Sequence, residues 1–118
     1  MPNGTLTYKR GEIWWVNLQP VVGSETDKER PCLILQNDLG NKFGATTVIA
    51  PLLPGTKNYP FVVNVSPTIE NGLDKDRYIH LGQMRSVDSQ RITERLGSVS
   101  DRYWSEIEKA VLIELGFK

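Results

Sequence analysis

The feature that most constrains this chain is a succession of short apolar runs, each closed by turn residues, within 118 residues. Runs rich in β-branched and aromatic residues lie at 12–18 (EIWWVNL), 31–36 (PCLILQ), 46–52 (TTVIAPL), 61–65 (FVVNV) and 77–82 (RYIHLG), with weaker ones at 84–87 and 95–99. Gly23-Ser24, Asn37-Asp38, Gly40-Asn41, Pro54-Gly55 and Asn71-Gly72 separate them as turns. Short strands at such close spacing predict a small antiparallel barrel or sandwich. The period then changes. Ser100 is placed as a helix N-cap with Asp101 in the first turn, and Trp104, Ile107, Val111 and Leu115 recur at helical spacing before Gly116. This predicts a helix over about 100–115, laying an apolar stripe over one side of the barrel.

Length and composition bound the rest. The chain is long enough for one domain, 1–118, with a polar segment at 1–9 expected to fray. Apolar residues make up 39%, so one modest core is feasible, and a domain this small has reason to pair with a second copy. Fourteen basic residues balance fourteen acidic ones, so bulk charge gives no sign of a generic polyanion binder. Cys32 has no intrachain disulfide partner, and Cys32 with His80 falls short of a zinc ligand set. No metal or cofactor is therefore expected. The longest strongly apolar stretch, 48–53, is interrupted by Pro51 and is too short for a membrane span. The start of the chain lacks a signal-like pattern, which favours a cytoplasmic setting.

The segment 19–30 (QPVVGSETDKER) is too long for a tight hairpin, and loops of that length are often functional. It ends on Arg30-Pro31, and Pro31 restricts Arg30 to extended backbone just outside the strand mouth. A guanidinium there either offers a planar fork of donors to a phosphate or makes a surface ion pair with Glu25 or Glu29.

Arg10-Gly11-Glu12-Ile13-Trp14, Gly23-Ser24-Glu25, Arg30-Pro31, Gln36-Asn37-Asp38, Tyr59-Pro60-Phe61 and Gln83-Met84-Arg85-Ser86-Val87-Asp88 follow in order. In order and spacing the set closely resembles the MazF/PemK family of toxins from bacterial toxin–antitoxin pairs, over roughly residues 9–115. The resemblance implies an SH3-like β-barrel with a C-terminal helix, assembled as a homodimer. It also implies a metal-independent, sequence-selective endoribonuclease that cuts single-stranded RNA, chiefly mRNA, leaving 2′,3′-cyclic phosphate and 5′-hydroxyl ends. Such a reaction needs a base for the 2′-hydroxyl, stabilisation of a phosphorane and an acid for the leaving oxygen.

On this resemblance Arg30 takes the catalytic arginine's place, clamping the phosphate. Glu25 matches a position that organises the site, either orienting Arg30 or acting as base; on its own it reads equally as a loop carboxylate neutralising Lys28. Two positions depart from the family pattern. Leu53 stands where a catalytic Ser or Thr is common, leaving Thr56 as the nearest downstream hydroxyl, and Gly82 stands where some members carry a carboxylate. His80, two residues earlier, lies where one branch has a catalytic arginine. With an ordinary pKa near 6.5 it suits proton transfer, and period-two geometry places it on the face of Gly82; a structural strand histidine is the alternative.

Lys28, Phe43, Lys57, Gln83 and Arg85 are the candidate RNA contacts, Gln83 and Arg85 lining either the RNA groove or the dimer interface, with the 41–44 and 54–58 loops selecting bases near the site. Tyr59 and Phe61 read mainly as packing. The implied partner is a cognate antitoxin with a disordered acidic C-terminal segment. Two rivals remain: a gyrase poison of the related CcdB fold, against which the Arg-Pro and Gly-Ser-Glu segments argue, and a weakened member that only binds antitoxin or RNA, which Leu53 and Gly82 motivate.

Overall fold

The structure, a computed structural model, describes residues 7–19 and 29–117. Seven strands form one antiparallel sheet: β1 Glu12–Asn17, β2 Glu29–Ile34, β3 Thr46–Pro54, β4 Val62–Val65, β5 Arg77–His80, β6 Arg85–Asp88 and β7 Ile92–Ser98. The order is β4-β5-β3-β2-β1-β7, with β6 also on β3. A short helix, α1 (Asp38–Phe43), joins β2 to β3, and α2 (Trp104–Glu114) closes the described fold. None of the described helices is long and apolar enough to cross a membrane.

The longest strand, β3, organises the sheet. One edge pairs with β2, Cys32 opposite Pro51. Along the other edge, β5 pairs with the C-terminal half, Leu52 opposite Ile79, and β6 with the N-terminal half, Ile49 opposite Arg85. Six steps from Ile79 to Arg85 answer only three on β3. The surplus is taken up by the single 3₁₀ turn Leu81–Gln83, whose start is tied to the neighbouring strand by Leu81 N–H donating to the Phe61 carbonyl at 3.0 Å. The expected strand 77–82 therefore ends at His80.

Pleating sorts the core into two layers. Ile13, Leu33, Ala50, Leu52, Val63, Val65 and Ile79 face α2 and bury against Tyr103, Ile107 and Ala110. Trp14, Val16, Cys32, Ile34, Ile49, Val87 and Ile92 occupy the opposite side with Tyr8 and Leu18. Every pairing fits this division, since antiparallel partners share a face.

Several local expectations need correction. Asn37-Asp38 and Gly40-Asn41 are not turns: Asn37 caps α1 by accepting from Gly40 N–H at 2.7 Å. Ser100 makes no side-chain cap, because the chain enters the helix through a 3₁₀ turn at Asp101–Tyr103. The α-helix thus has 11 residues, and its buried contacts are Ile107 and Ala110; Leu115 is exposed. Gly116 does stop it, at φ +82 with a Schellman pair of bonds to Ile113 and Leu112 carbonyls. Arg30 lies inside β2 rather than outside the strand mouth.

Ile107 is 1% exposed at the centre of the helix–sheet contact. Ile107→Ala is expected to lower unfolding free energy by about 2–5 kcal/mol, read by denaturant titration.

Candidate active site

The register lays out a site on the sheet face opposite α2. Arg30 pairs with Val16 and shares the side of Cys32. Continuing the β2–β3 register sets Arg30 across from Leu53, which pairs with Tyr78, which pairs with Asn64. Arg30, Leu53, Tyr78 and Asn64 thus form one row across four strands. In the next row, His80 pairs with Val62, its ring centroid 6.1 Å from that of Tyr78. Arg85, opposite Ile49, returns to this face because the 3₁₀ turn adds an odd number of residues.

The face is cationic. Burial pushes the Cys32 thiol far up, and the charges of Arg85 and then Arg30 act against that push, so both guanidiniums lie near it. Arg77, at the start of β5, is 7% exposed, and one guanidinium nitrogen donates to the Leu52 carbonyl at 3.0 Å. Burial lowers its pKa; Asp74 opposes that, 3.8 Å away and itself well exposed, while Arg30 adds to it. Among the described residues, three buried side-chain polar atoms have no hydrogen-bond partner: Arg30 Nε, Arg77 Nε and His80 Nδ1. Arg30 and His80 belong to this face by register, whereas Arg77 pairs with Val65 and so leaves β5 on the side of α2. Buried polar groups are nearly always satisfied, so the unpartnered Arg30 Nε and His80 Nδ1 single out this face.

His80 is packed by rings and by a missing side chain. Phe61 lies 5.6 Å from it, centroid to centroid. A Cβ on Gly82 would come within 2.7 Å of His80 Cε1 and 3.4 Å of Glu114 Oε1, so imidazole and carboxylate both border the space that glycine leaves. Burial lowers the pKa of His80 below its ordinary 6.5, and Glu114 partly restores it. The imidazole is thereby biased toward the neutral, proton-accepting form at neutral pH.

The loop after β3 is held firmly beside the row. Gly55 adopts φ +96, its N–H donating to the Asp76 carbonyl at 2.9 Å. The Asn64 carboxamide clamps Lys57, accepting from its N–H at 3.1 Å and donating to its carbonyl at 2.9 Å. Lys57 and Thr56 therefore reach the Leu53 end of β3, both exposed. Gln83 sits in the 3₁₀ turn. Phe43 is a correction: α1 follows the opposite end of β2 from Arg30, so the 41–44 loop does not flank the site within one protomer. Glu25 and Lys28 lie outside the described residues. Sequence reasoning passed over Tyr78 and Asn64; only the cross-strand register reveals them, and Tyr78 is the hydroxyl-bearing neighbour of Leu53.

A model of the PemK-like, MazF-like toxins of type II toxin–antitoxin systems matches residues 9–115. The chain belongs to this family. Its relatives include the Bacillus subtilis endoribonuclease EndoA, 33% identical over 91% of this chain and 93% of that protein. Endoribonuclease MazF of Staphylococcus saprophyticus is 37% identical over 92% of this chain and 91% of the relative. Among solved structures, MazF from Deinococcus radiodurans has the same fold, with TM-score 0.82 and 23% identity over 95% of this chain and 99% of that one. A mycobacterial endoribonuclease solved with its cognate antitoxin aligns at TM-score 0.77 and 20% identity, covering 94% and 97% of the two chains. The seven-stranded antiparallel sheet with its C-terminal helix is the fold of these MazF-like toxins.

Because His80 is harder to protonate folded than unfolded, its contribution to stability is complete above about pH 6.5 and is lost as pH falls toward its depressed folded value. Thermal melts from pH 7.5 down to 5 should show a fall in Tm that is smaller in His80→Asn.

Proposed function

We propose that this chain is the toxin of a toxin–antitoxin pair and a metal-independent endoribonuclease that cuts single-stranded RNA by attack of a ribose 2′-hydroxyl on the adjacent phosphorus. The observation that carries this reading is the unpartnered Arg30 guanidinium nitrogen on the same face as Arg85, both charges acting on Cys32. Guanidiniums brought to one face repel one another, and a phosphate supplies both the charge and the acceptors they lack.

In the proposed step the proton of the 2′-hydroxyl passes to a base as the 2′-oxygen bonds to phosphorus. The P–O5′ bond breaks, and an acid returns a proton to the 5′-oxygen. Arg30 faces the non-bridging oxygens and stabilises the dianionic phosphorane. His80, biased toward its neutral form, takes the first proton; Glu25 orients Arg30. Leu53 provides no hydroxyl, and Tyr78 or Thr56 stands nearest to supply one. Lys57 and Arg85 follow the RNA backbone on either side, with Lys28 and Gln83 as further contacts, and Phe43 reaches RNA only through a partner subunit in a homodimer. The exposed Leu39, Phe43 and Phe117 are apolar surface available to such a pairing. The same cationic face suits the acidic C-terminal segment of an antitoxin, which would compete with RNA for the guanidiniums.

Purified protein incubated in EDTA with a long defined RNA, followed by end mapping, tests the reading. Discrete cuts with 5′-hydroxyl ends are expected; no cuts would overturn it in favour of a binding-only toxin. Arg30→Ala should slow cleavage by about 100- to 1,000-fold, and unimpaired cutting would remove Arg30 from the mechanism. In wild type the single-turnover rate should rise with pH and level off above the depressed His80 pKa, whereas His80→Ala should be slow and flat from pH 5 to 9. Gly82→Ala, which crowds the imidazole, should reduce the rate more than it reduces Tm.

A further inference from the structure

Four rings are stepped across the edge of the site. Tyr59 stacks on Phe61 at 5.2 Å between centroids and 5° between planes. Phe61 is 5.6 Å from His80, and His80 is 6.1 Å from Tyr78. The inner members are buried or half-buried, but Tyr59 is 54% exposed, with one face covered by Phe61 and the other toward solvent. The ring stands on a stiff support: Val62 N–H donates to the Tyr59 carbonyl at 3.2 Å, Pro60 limits the backbone, and the Asn64 clamp fixes Lys57 two residues before it. A large aromatic ring held rigid and half uncovered is what a stacking partner needs, because little further ordering is required when it binds.

We propose that Tyr59 is a nucleobase-stacking platform that holds a base of the single-stranded RNA next to the cleaved step and so contributes to specificity. The inference rests on the endoribonuclease reading and deepens it. Two observations favour a base over another occupant. The stack is continuous through Phe61 with His80, on the row adjoining Arg30, so a base on Tyr59 is carried by the same rigid edge that holds the reacting groups. Lys57, two residues before the ring and exposed, has its backbone anchored by Asn64, so the same short segment offers a cation for the phosphate attached to that base. Stacking accepts any π-face, so Tyr59 would add affinity and fix the register of the strand, while edge-reading groups choose the base.

The test uses the full chain and two probes. Binding is measured by fluorescence anisotropy with a labelled pool of random single-stranded 12-mers carrying 2′-deoxy sugars, which cannot be cut. Cleavage is measured on a long RNA at positions wild type cuts. Tyr59→Ala is expected to weaken binding by about 5- to 100-fold and to raise KM more than it lowers kcat. Tyr59→Phe and Tyr59→Trp should stay within about twofold of wild type, since they keep a stacking face. Ile69→Ala, an exposed apolar side chain between β4 and β5, is the control and should change neither quantity. Binding and KM unchanged in Tyr59→Ala, with wild type cutting normally, would overturn the platform and leave the nuclease reading intact. Wild type that cuts no RNA but still binds the pool through Tyr59 would overturn the nuclease reading and keep the platform. Failure of wild type to bind the pool would overturn the platform. So would a Tyr59→Ala variant that binds normally but dissociates in light scattering, since the ring would then be a contact between copies of the chain.

Discussion

The site depends on one mismatch of register along β3. Between Ile79 and Arg85 the neighbouring strand spends three residues more than β3 requires, and it does so in one 3₁₀ turn. Three is odd, so the alternation of side chains is inverted across the turn. An unbroken strand would send His80 and Arg85 to opposite faces; the interrupted one brings both to the side of Arg30 and Cys32. The turn also creates Gly82, whose missing side chain gives His80 its resting place. A small irregularity, anchored by a main-chain bond to Phe61 just before β4, thus decides which ionisable groups share a surface.

Such a surface is expensive to fold. An unpaired guanidinium nitrogen at Arg30, with a half-buried imidazole on the same face, leaves hydrogen-bonding capacity unmet in the free protein. The rest of the sheet offsets this with two well-filled apolar layers. The compensation is spatially divided. On the face opposite α2, the β1–β2–β7 side carries the second core, whereas the β4–β5 side is left polar. The site is the part of that layer where Asn64, Tyr78 and His80 stand in place of an apolar core.

How much of this was legible in the sequence follows from range. Strand positions were visible as β-branched runs, and the C-terminal helix as a change of period, because both are local signals. The α1 helix was hidden by Asn37, Asp38 and Gly40, residues that favour turns and also make good caps; which role wins is decided by whether Asn37 reaches Gly40 N–H. Arg30 and His80 stood out as residue types capable of phosphate and proton chemistry. Tyr78 did not, because its relevance comes from standing across β3 from Arg30, and pairing register is not a local property. Phe43 was misplaced for the same reason: nearness in sequence to the second strand says nothing about which end of that strand it follows.

The balanced charge of the chain, 14 basic against 14 acidic residues, takes on a different meaning against this geometry. At physiological salt, exposed charges are screened within about 8 Å, so a net total governs little beyond solubility. What an approaching strand meets is the local arrangement. Here Glu12 is occupied by Arg95, and Asp38 caps the Arg10 amide, both away from the row that carries Arg30. Glu114 stands close but borders His80 from the end of α2, where it moderates the imidazole rather than neutralising the arginines. Neutrality overall with a concentrated cationic face limits adhesion to arbitrary polyanions and leaves attraction to a short segment. Under the proposed reading few counterions are released, so binding depends only shallowly on salt, and selectivity comes from fitted contacts such as stacked bases and clamped phosphates.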